Sequence, residues 1–408
     1  MIGINEAIDA VLAAVPAVRT EEISLPAAFG RVLAQDIVSP EQTPPFDNSA
    51  MDGFAVRGAD LEAGRREFNV TVEIPAGRWV ETPVGAGEAA KIMTGAPLPP
   101  GVDTVVPVEQ TQSAGDIVTV TEPSLTGANV RRAGEDIARG DTLFPRGTTL
   151  GPAEVGLLAS VGMEALTVAR RPRVAILATG SELVEPGGSV GPGQIRNSNS
   201  LIACGQVLGA GAEPVPLGIA RDDLGETRRL IGVALREDVV ITSGGVSVGE
   251  FDFVKQVQEE LGVQRRFWGV RSKPGKPIAF GVAGDTLVFG APGNPVAAMV
   301  CFELYVRPAL QAMMGATRLY RPHLWSAAAE PTKPTRDRTE ARRCRLVQRD
   351  GVWTFSTTGP QGSGILRSMA LADGLVFVPP GYTGGEPGER FMVMLLEGNS
   401  AERPPFPE

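Results

Sequence analysis

Apolar positions open the chain in helical register: Ala7, Ile8, Val11, Leu12 and Val15 form an i, i+3, i+4, i+7 stripe that predicts a short amphipathic helix over about residues 5–15. From Phe46 to about Leu143 the period shortens. Runs such as FNVTVEI, DTVVPVEQ and DIVTVTE, cut by Gly and Pro, predict a compact β-rich unit. GPAEVGLLASVGM then reads as a helix with Pro152 in its first turn, followed by a stiff connector through Arg170, Arg171 and Pro172.

From Arg173 onward strands and helices alternate: VAILAT, a helix near 199–208, VPLGIA, a helix near 224–235, DVVIT, a helix near 252–261, TLVFGA and the helical VAAMVCFELYV. Such alternation predicts a doubly wound, mostly parallel sheet. Beyond Met314 the runs RCRLVQ, VWTFSTT, GLVFVPP and RFMVMLL predict a small carboxyl-terminal β domain. The expected class is α/β plus β in several domains. Residues 1–45 with 144–170 form an amino-terminal and linker domain, 46–143 a β-rich insertion, 171–316 the α/β domain and 317–408 the last β domain.

Composition narrows the chemistry. The 408 residues carry 38 Lys and Arg against 47 Asp and Glu, a formal charge of −9, so bulk attraction to nucleic acid is not expected. Cys204, Cys301 and Cys344 lie far apart, in no metal-ligand spacing, which points to a reduced, cytoplasmic setting. Glu6 and Asp9 interrupt the opening apolar stretch and no long uncharged apolar run follows, so neither export nor a membrane span is expected. His323 is the only histidine, which removes Ser-His-Asp triads and HExxH zinc sites, and it reads as a surface residue. Carboxylates, lysines, hydroxyls, backbone amides and a hard cation remain.

In open α/β sheets ligands gather beyond the carboxyl ends of the strands. Four loops there are chemically loaded: Gly180-Ser181-Glu182, Arg221-Asp222-Asp223, Ser243-Gly244-Gly245-Val246-Ser247 and Pro292-Gly293-Asn294-Pro295. The glycine-rich loop fits a phosphate cradle or a tight strand-to-helix turn. Asp252 fits an N-cap or a Mg²⁺ ligand; Glu182 and Asp222 share that ambiguity and, as a group, suit one or two hard cations. Lys273-Pro274-Gly275-Lys276-Pro277 stiffens two ammonium groups for gripping an anion. Asn294-Pro295 fits a helix start as well as a ligand contact. Asp52, Thr94 and Asp136 sit in Gly-flanked loops of the β-rich unit and fit either turns or a second polar surface.

Taken together, PPFDNSAMDGFAVR, KIMTGAPLPPGVDTVVPVE, RRAGEDI, LATGSEL, ITSGGVSVGEFD, KPGKP and GAPGNPVA resemble the molybdopterin molybdotransferase family, MoeA, whose relatives include the carboxyl-terminal part of gephyrin. The resemblance implies insertion of molybdate, the substrate, into adenylylated molybdopterin, with Mg²⁺-dependent release of AMP. It also implies elongated homodimers whose cleft joins one subunit's sheet domain to the partner's β-rich domain, and contact with molybdopterin adenylyltransferase. On that pattern Glu182, Asp222, Asp252 and Lys273 match functional positions of the sheet domain, and Asp52, Thr94 and Asp136 those of the β-rich domain; Lys276 and Ser363 extend the match. Where some members carry a lysine after the tryptophan preceding KPGKP, Trp268 is followed here by Gly269, with Arg271 close by. The alternatives are a CinA-like or adenylyltransferase-like nucleotide enzyme, or a gephyrin-like scaffold.

Overall fold

The computed structural model describes residues 1–244 and 253–407. Its central sheet runs in the order Glu213–Ala220, Arg173–Thr179, Val239–Ser243, Thr286–Ala291, Ala279–Ala283 and Gln264–Trp268. The first four strands are parallel and the last two antiparallel. Continuous apolar runs are what a sheet covered on both faces requires. Val174 and Ile176 pack with Val207 and Val300 on one side, while Leu177 packs with Leu230, Ile231 and Val257 on the other. Helices Asn199–Gly209, Leu224–Ala234, Phe253–Glu260 and Pro295–Cys301 supply these layers.

The last helix continues through a π-helical segment, Phe302–Val306, into Arg307–Met313. The stretch Pro295–Met313 is long and apolar enough to cross a membrane, but 83% of it is buried inside the protein, as befits a core helix. The opening helix, Ile4–Leu12, sets Ile4, Ile8 and Val11 into the same core.

A second six-stranded sheet, ordered Thr104–Pro107, Gly53–Val56, Glu88–Ile92, Glu67–Ile74, Ile117–Val120 and Thr111–Ala114, forms the β-rich part around cores of its own. Segments from both sides of it in sequence come together: Thr20–Ser24 pairs with Ala165–Ala169 and Ile37–Val38 with Thr142–Phe144, over a core that includes Leu33, Leu150 and Leu158. In the carboxyl-terminal part Thr339–Arg349, Val352–Thr357, His323–Ala328, Arg390–Leu395 and Gly374–Val378 close on themselves through the pairing of the first strand with the last. Closure removes the exposed edges of a small sheet. The two-residue strand Ser272–Lys273 adds to this barrel in parallel with Thr339–Glu340, tying it to the sheet domain.

His323 departs from the surface position expected of it. Its side chain is 12% exposed, Nε2 lies 3.9 Å from Glu402 and Nδ1 is buried, because strand pairing with Met394 draws it against the barrel wall.

Candidate functional site

The parallel strands end level. Ala178 is in register with Ser243, Thr179 with Ala220 and Ser243 with Ala291, which brings the starts of the four loops to one rim. Gly180 N–H donates to Ala220 O at 3.1 Å and Gly244 N–H to Ala291 O at 3.2 Å. Gly244 has φ +95, and a Cβ there would lie 2.8 Å from Thr179 O, so only glycine suits the turn. Asn199, from the helix that follows the first rim loop, donates through Nδ2 to Ser243 Oγ at 2.7 Å and to Gly293 O at 2.8 Å. One amide thus fastens the glycine-rich loop to the Pro292-Gly293-Asn294 loop. Gly245, Ser247 and Asp252 lie outside the described residues.

The adjacent aspartates divide their work. Asp223 is the N-cap of Leu224–Ala234, accepting from Glu226 N at 2.7 Å. Asp222 instead faces the first loop: its Oδ2 accepts from Ser181 N at 3.2 Å, and its own N–H donates to Ser181 Oγ at 3.0 Å. Glu182 folds back over Gly180, where a Cβ would collide with its carboxylate. Two exposed carboxylates on neighbouring loops are hard oxygen donors of the kind Mg²⁺ takes while keeping several waters. Among the described residues no three His, Cys, Asp or Glu side chains gather as a metal site.

Beside this rim lies a cleft of about 410 Å³ between the sheet domain and the barrel. Lys273, Lys276, Pro292, Asn294 and Ser363 all line it, so five of the residues singled out in the sequence share one cavity. Asn294 stands at the N-cap position of the helix beginning at Pro295 without a side-chain capping bond, and Val296 N–H donates to Ser363 O at 3.1 Å, which holds the Ser363 loop against that helix end. Gly275, at φ +104, has no room for a Cβ: Cys301 Sγ would be 2.7 Å away. Gly269, at φ +81, also adopts the backbone conformation that glycine favours.

The barrel contributes residues that sequence reasoning missed. Arg338, Glu340, Arg342, Arg343 and Gln361 line the same cleft. Arg343 is 1% exposed, and its guanidinium donates to Ser368 Oγ at 3.0 Å, Gln361 O at 3.1 Å and Gly362 O at 3.0 Å. It thereby shapes the loop that ends at Ser363; burial pushes its pKa down. Burial would raise the Glu340 carboxyl, but hydrogen bonds from Lys273 and Arg342 outweigh that and hold it below the usual carboxylate range. Their only trace in the chain is an Arg-rich run, which reads as surface.

Asp52, Thr94 and Asp136 are not among the residues lining this cleft. They belong to a second polar surface, assembled from three separate strings. Asp47 accepts from Ala133 N at 2.8 Å and Arg132 Nη1 at 2.6 Å, which lowers its pKa, the backbone bond being the larger cause. Gly95 N–H donates to Ser49 O at 2.8 Å, and Gly134 and Asp136 N–H groups donate to Pro44 O and Thr43 O at 2.9 and 3.1 Å. Asp52 Oδ1 accepts from Thr94 N and Oγ1 at 2.6 and 2.8 Å.

Known proteins match along almost the entire chain. The MoeA N-terminal region (domains I and II) matches residues 2–162, the probable molybdopterin binding domain 175–312 and the MoeA C-terminal region (domain IV) 326–396. Molybdopterin molybdenumtransferase 2 of Mycobacterium tuberculosis is 38% identical over 375 residues, 89% of this chain and 92% of that protein. Molybdopterin molybdenumtransferase of Bacillus subtilis is 36% identical over 399 residues, 94% and 92% of the two chains. The crystal structure of the molybdopterin biosynthesis MoeA protein from Pyrococcus horikosii aligns with a TM-score of 0.82 at 32% identity, covering 98% of this chain and 100% of that one.

Fold and matches together define a multidomain enzyme, a transferase of molybdenum cofactor biosynthesis. The chain belongs to the MoeA family.

Proposed function

We propose that this transferase inserts molybdate into adenylylated molybdopterin and releases AMP in a Mg²⁺-dependent step, yielding molybdenum cofactor. The observation that carries the reading is the cationic cleft, where Lys273, Lys276, Arg338 and Ser363 line one cavity beside the Asn294 helix start. Two ammonium groups, a guanidinium and a hydroxyl suit a tetrahedral dianion.

In this mechanism Lys273, Lys276 and Ser363 hold molybdate, and Gly245 and Ser247, which lie outside the described residues, are what the sequence offers to the adenylate phosphate. A molybdate oxygen or water attacks the adenylate phosphorus and the phosphoanhydride bond to the molybdopterin phosphate breaks; attack by water gives AMP directly, and attack by molybdate gives an adenylyl-molybdate that water hydrolyses to AMP. Glu182 and Asp222, with Asp252, are the residues to hold Mg²⁺, which when bound supplies positive charge to the phosphoryl oxygens. Ser181, bonded to Asp222 from both sides, orients that carboxylate.

The working form proposed is a cytoplasmic homodimer in which Asp52, Thr94 and Asp136 of one subunit face the rim of the other, with transient contact to the molybdopterin adenylyltransferase that supplies substrate. Exposed Ile195, Leu201 and Leu208 provide apolar surface for association, and the free thiols suit a reducing compartment. The four-domain division at 45/46, 143/144, 170/171 and 316/317 is proposed with it; the cores around Leu33 and Leu150, around Phe54 and Val106 and around Val376 and Val393 follow it, whereas the sheet domain's core also takes in Ile4, Ile8 and Val11 of the opening helix and Phe377 and Met392 of the barrel. The test is incubation with adenylylated molybdopterin, Mg²⁺ and molybdate. AMP and active cofactor are expected to appear together, and AMP release indifferent to molybdate and Mg²⁺ would overturn the reading.

A further inference from the structure

The wall that the cationic cleft shares with a second cavity holds a carboxylate. That second cavity, of about 700 Å³, opens towards Lys333 and Thr357, and Lys273, Glu340 and Arg342 line both spaces. Glu340 Oε1 accepts from Lys273 Nζ at 2.8 Å, and Oε2 lies 2.8 Å from Arg342 Nη2 and accepts from Arg342 Nε at 2.9 Å. Backbone pairing places Lys273 opposite Glu340, so the contact is built into the junction of the two domains.

The two cations differ in freedom. Arg342 is 8% exposed at its side chain and also donates to Pro334 O at 3.2 Å, whereas the Lys273 side chain is 56% exposed. A guanidinium held at several points stays with its carboxylate; an ammonium on a four-carbon stem can change partners. An anion arriving at Lys273 therefore meets a carboxylate already bound there, and two negative groups on one ammonium repel.

We propose that Glu340 is a resident counter-anion that gates the cleft: an entering tetrahedral dianion takes Lys273 from it, while Glu340 remains on Arg342. This rests on the oxyanion reading of the cleft. A monoanion that replaces Glu340 on Lys273 exchanges one single charge for another and gains little. A dianion gains a second charge's worth of attraction. That difference comes from the anion's own charge; Glu340 lowers the affinity of the cleft for both, and, as a negative charge that stays on Arg342, lowers it more for the dianion.

The test is calorimetric titration of the full-length protein with tungstate, a dianionic probe, and with perchlorate as the monoanion. Glu340→Gln is expected to bind tungstate about three- to tenfold more tightly, for a partly screened charge, and to gain less for perchlorate, whose single charge is repelled less. Glu340→Asp, whose shorter carboxylate keeps one partner only, is expected to fall between. In a Lys273→Met background the effect of Glu340→Gln is expected to shrink towards none. Unchanged or weaker tungstate binding by Glu340→Gln, with the wild type binding normally, overturns the gate and leaves Glu340 a purely structural group. Failure of the wild-type protein to bind tungstate at all overturns the oxyanion reading itself.

Discussion

Thr94 directs both of its donors at a single oxygen of Asp52, the backbone N–H at 2.6 Å and the hydroxyl at 2.8 Å. Asp52 itself is exposed, in a bend of the chain. Two residues 42 positions apart are joined because Gly95 and Ser49 close the intervening backbone. A carboxylate so held stays ionised and fixed in direction, which is what a group presented to another surface requires.

The Asp52 carboxyl is held below its ordinary value, chiefly by the Thr94 backbone bond and secondly by the Thr94 hydroxyl. Thr94→Val removes the second donor alone. The Asp52 pKa is expected to rise part of the way towards the ordinary carboxylate range, read by carboxyl-carbon NMR titration. Because the folded-state value is depressed, the stability that the pair contributes is complete above the unfolded carboxylate value of about 4 and is lost as pH falls through the folded value. Thr94→Val should narrow that acid window, and an unmoved titration would show that the hydroxyl plays no part.

Arg343 is buried with no carboxylate paired to it among the described residues, and its charge rests on carbonyls of residues 360–362 and on Ser368 Oγ. Arg343→Met leaves several of those acceptors unpaired, so a loss of roughly 3 kcal/mol in urea unfolding is expected. Tungstate binding should fall too, since the loop that carries Ser363 loses its anchor. Full stability with full binding would show that the loop holds itself.

How far the chain could be read in advance depended on how local each signal was. The runs through Val174–Leu177 and Val239–Ile241 are apolar on both faces, a pattern that belongs to covered parallel strands, and their ends mark the rim directly. Asp222 and Asp223 were a different problem: either can cap a helix, and only the register of Leu224–Ala234 gives that duty to Asp223. Glu340 and Arg343 were not legible at all. TEARRCR has the composition of a solvated strand, and its burial comes from a barrel closing around it and from carbonyls some 18 residues downstream. The meeting of Asp47 with Ala133 is likewise a product of chain folding across 86 positions, beyond the reach of any periodicity.

Gly275 separates the two lysines of the cleft and stands at φ +104, with Cys301 Sγ where a Cβ would go. Gly275→Ala therefore meets two obstacles, backbone strain and a collision, and is expected to lower stability by about 2–3 kcal/mol. Adding Cys301→Ala should recover the part due to collision and none of the part due to φ. The same turn aims Lys273 and Lys276, so tungstate affinity should drop in the single variant. A Gly275→Ala protein as stable as the wild type would mean that the turn relaxes freely.

Within one chain Asp52 and Lys273 belong to different surfaces, and the proposed homodimer brings them together across its interface. Asp52→Asn and Lys273→Met should each inactivate a homodimer, since either change spoils both of its clefts. In a heterodimer of the two variants, one cleft carries both substitutions and the other carries neither. Co-expression with two different tags and purification through both should give a protein with about half of wild-type activity, as a two-fold symmetric pair of shared sites demands. The variants differ from wild type at single surface-facing groups, so loss of folding would not explain the homodimers, and thermal unfolding checks this. An inactive heterodimer would show that each chain works alone, and the polar surface around Asp52 would then need another purpose.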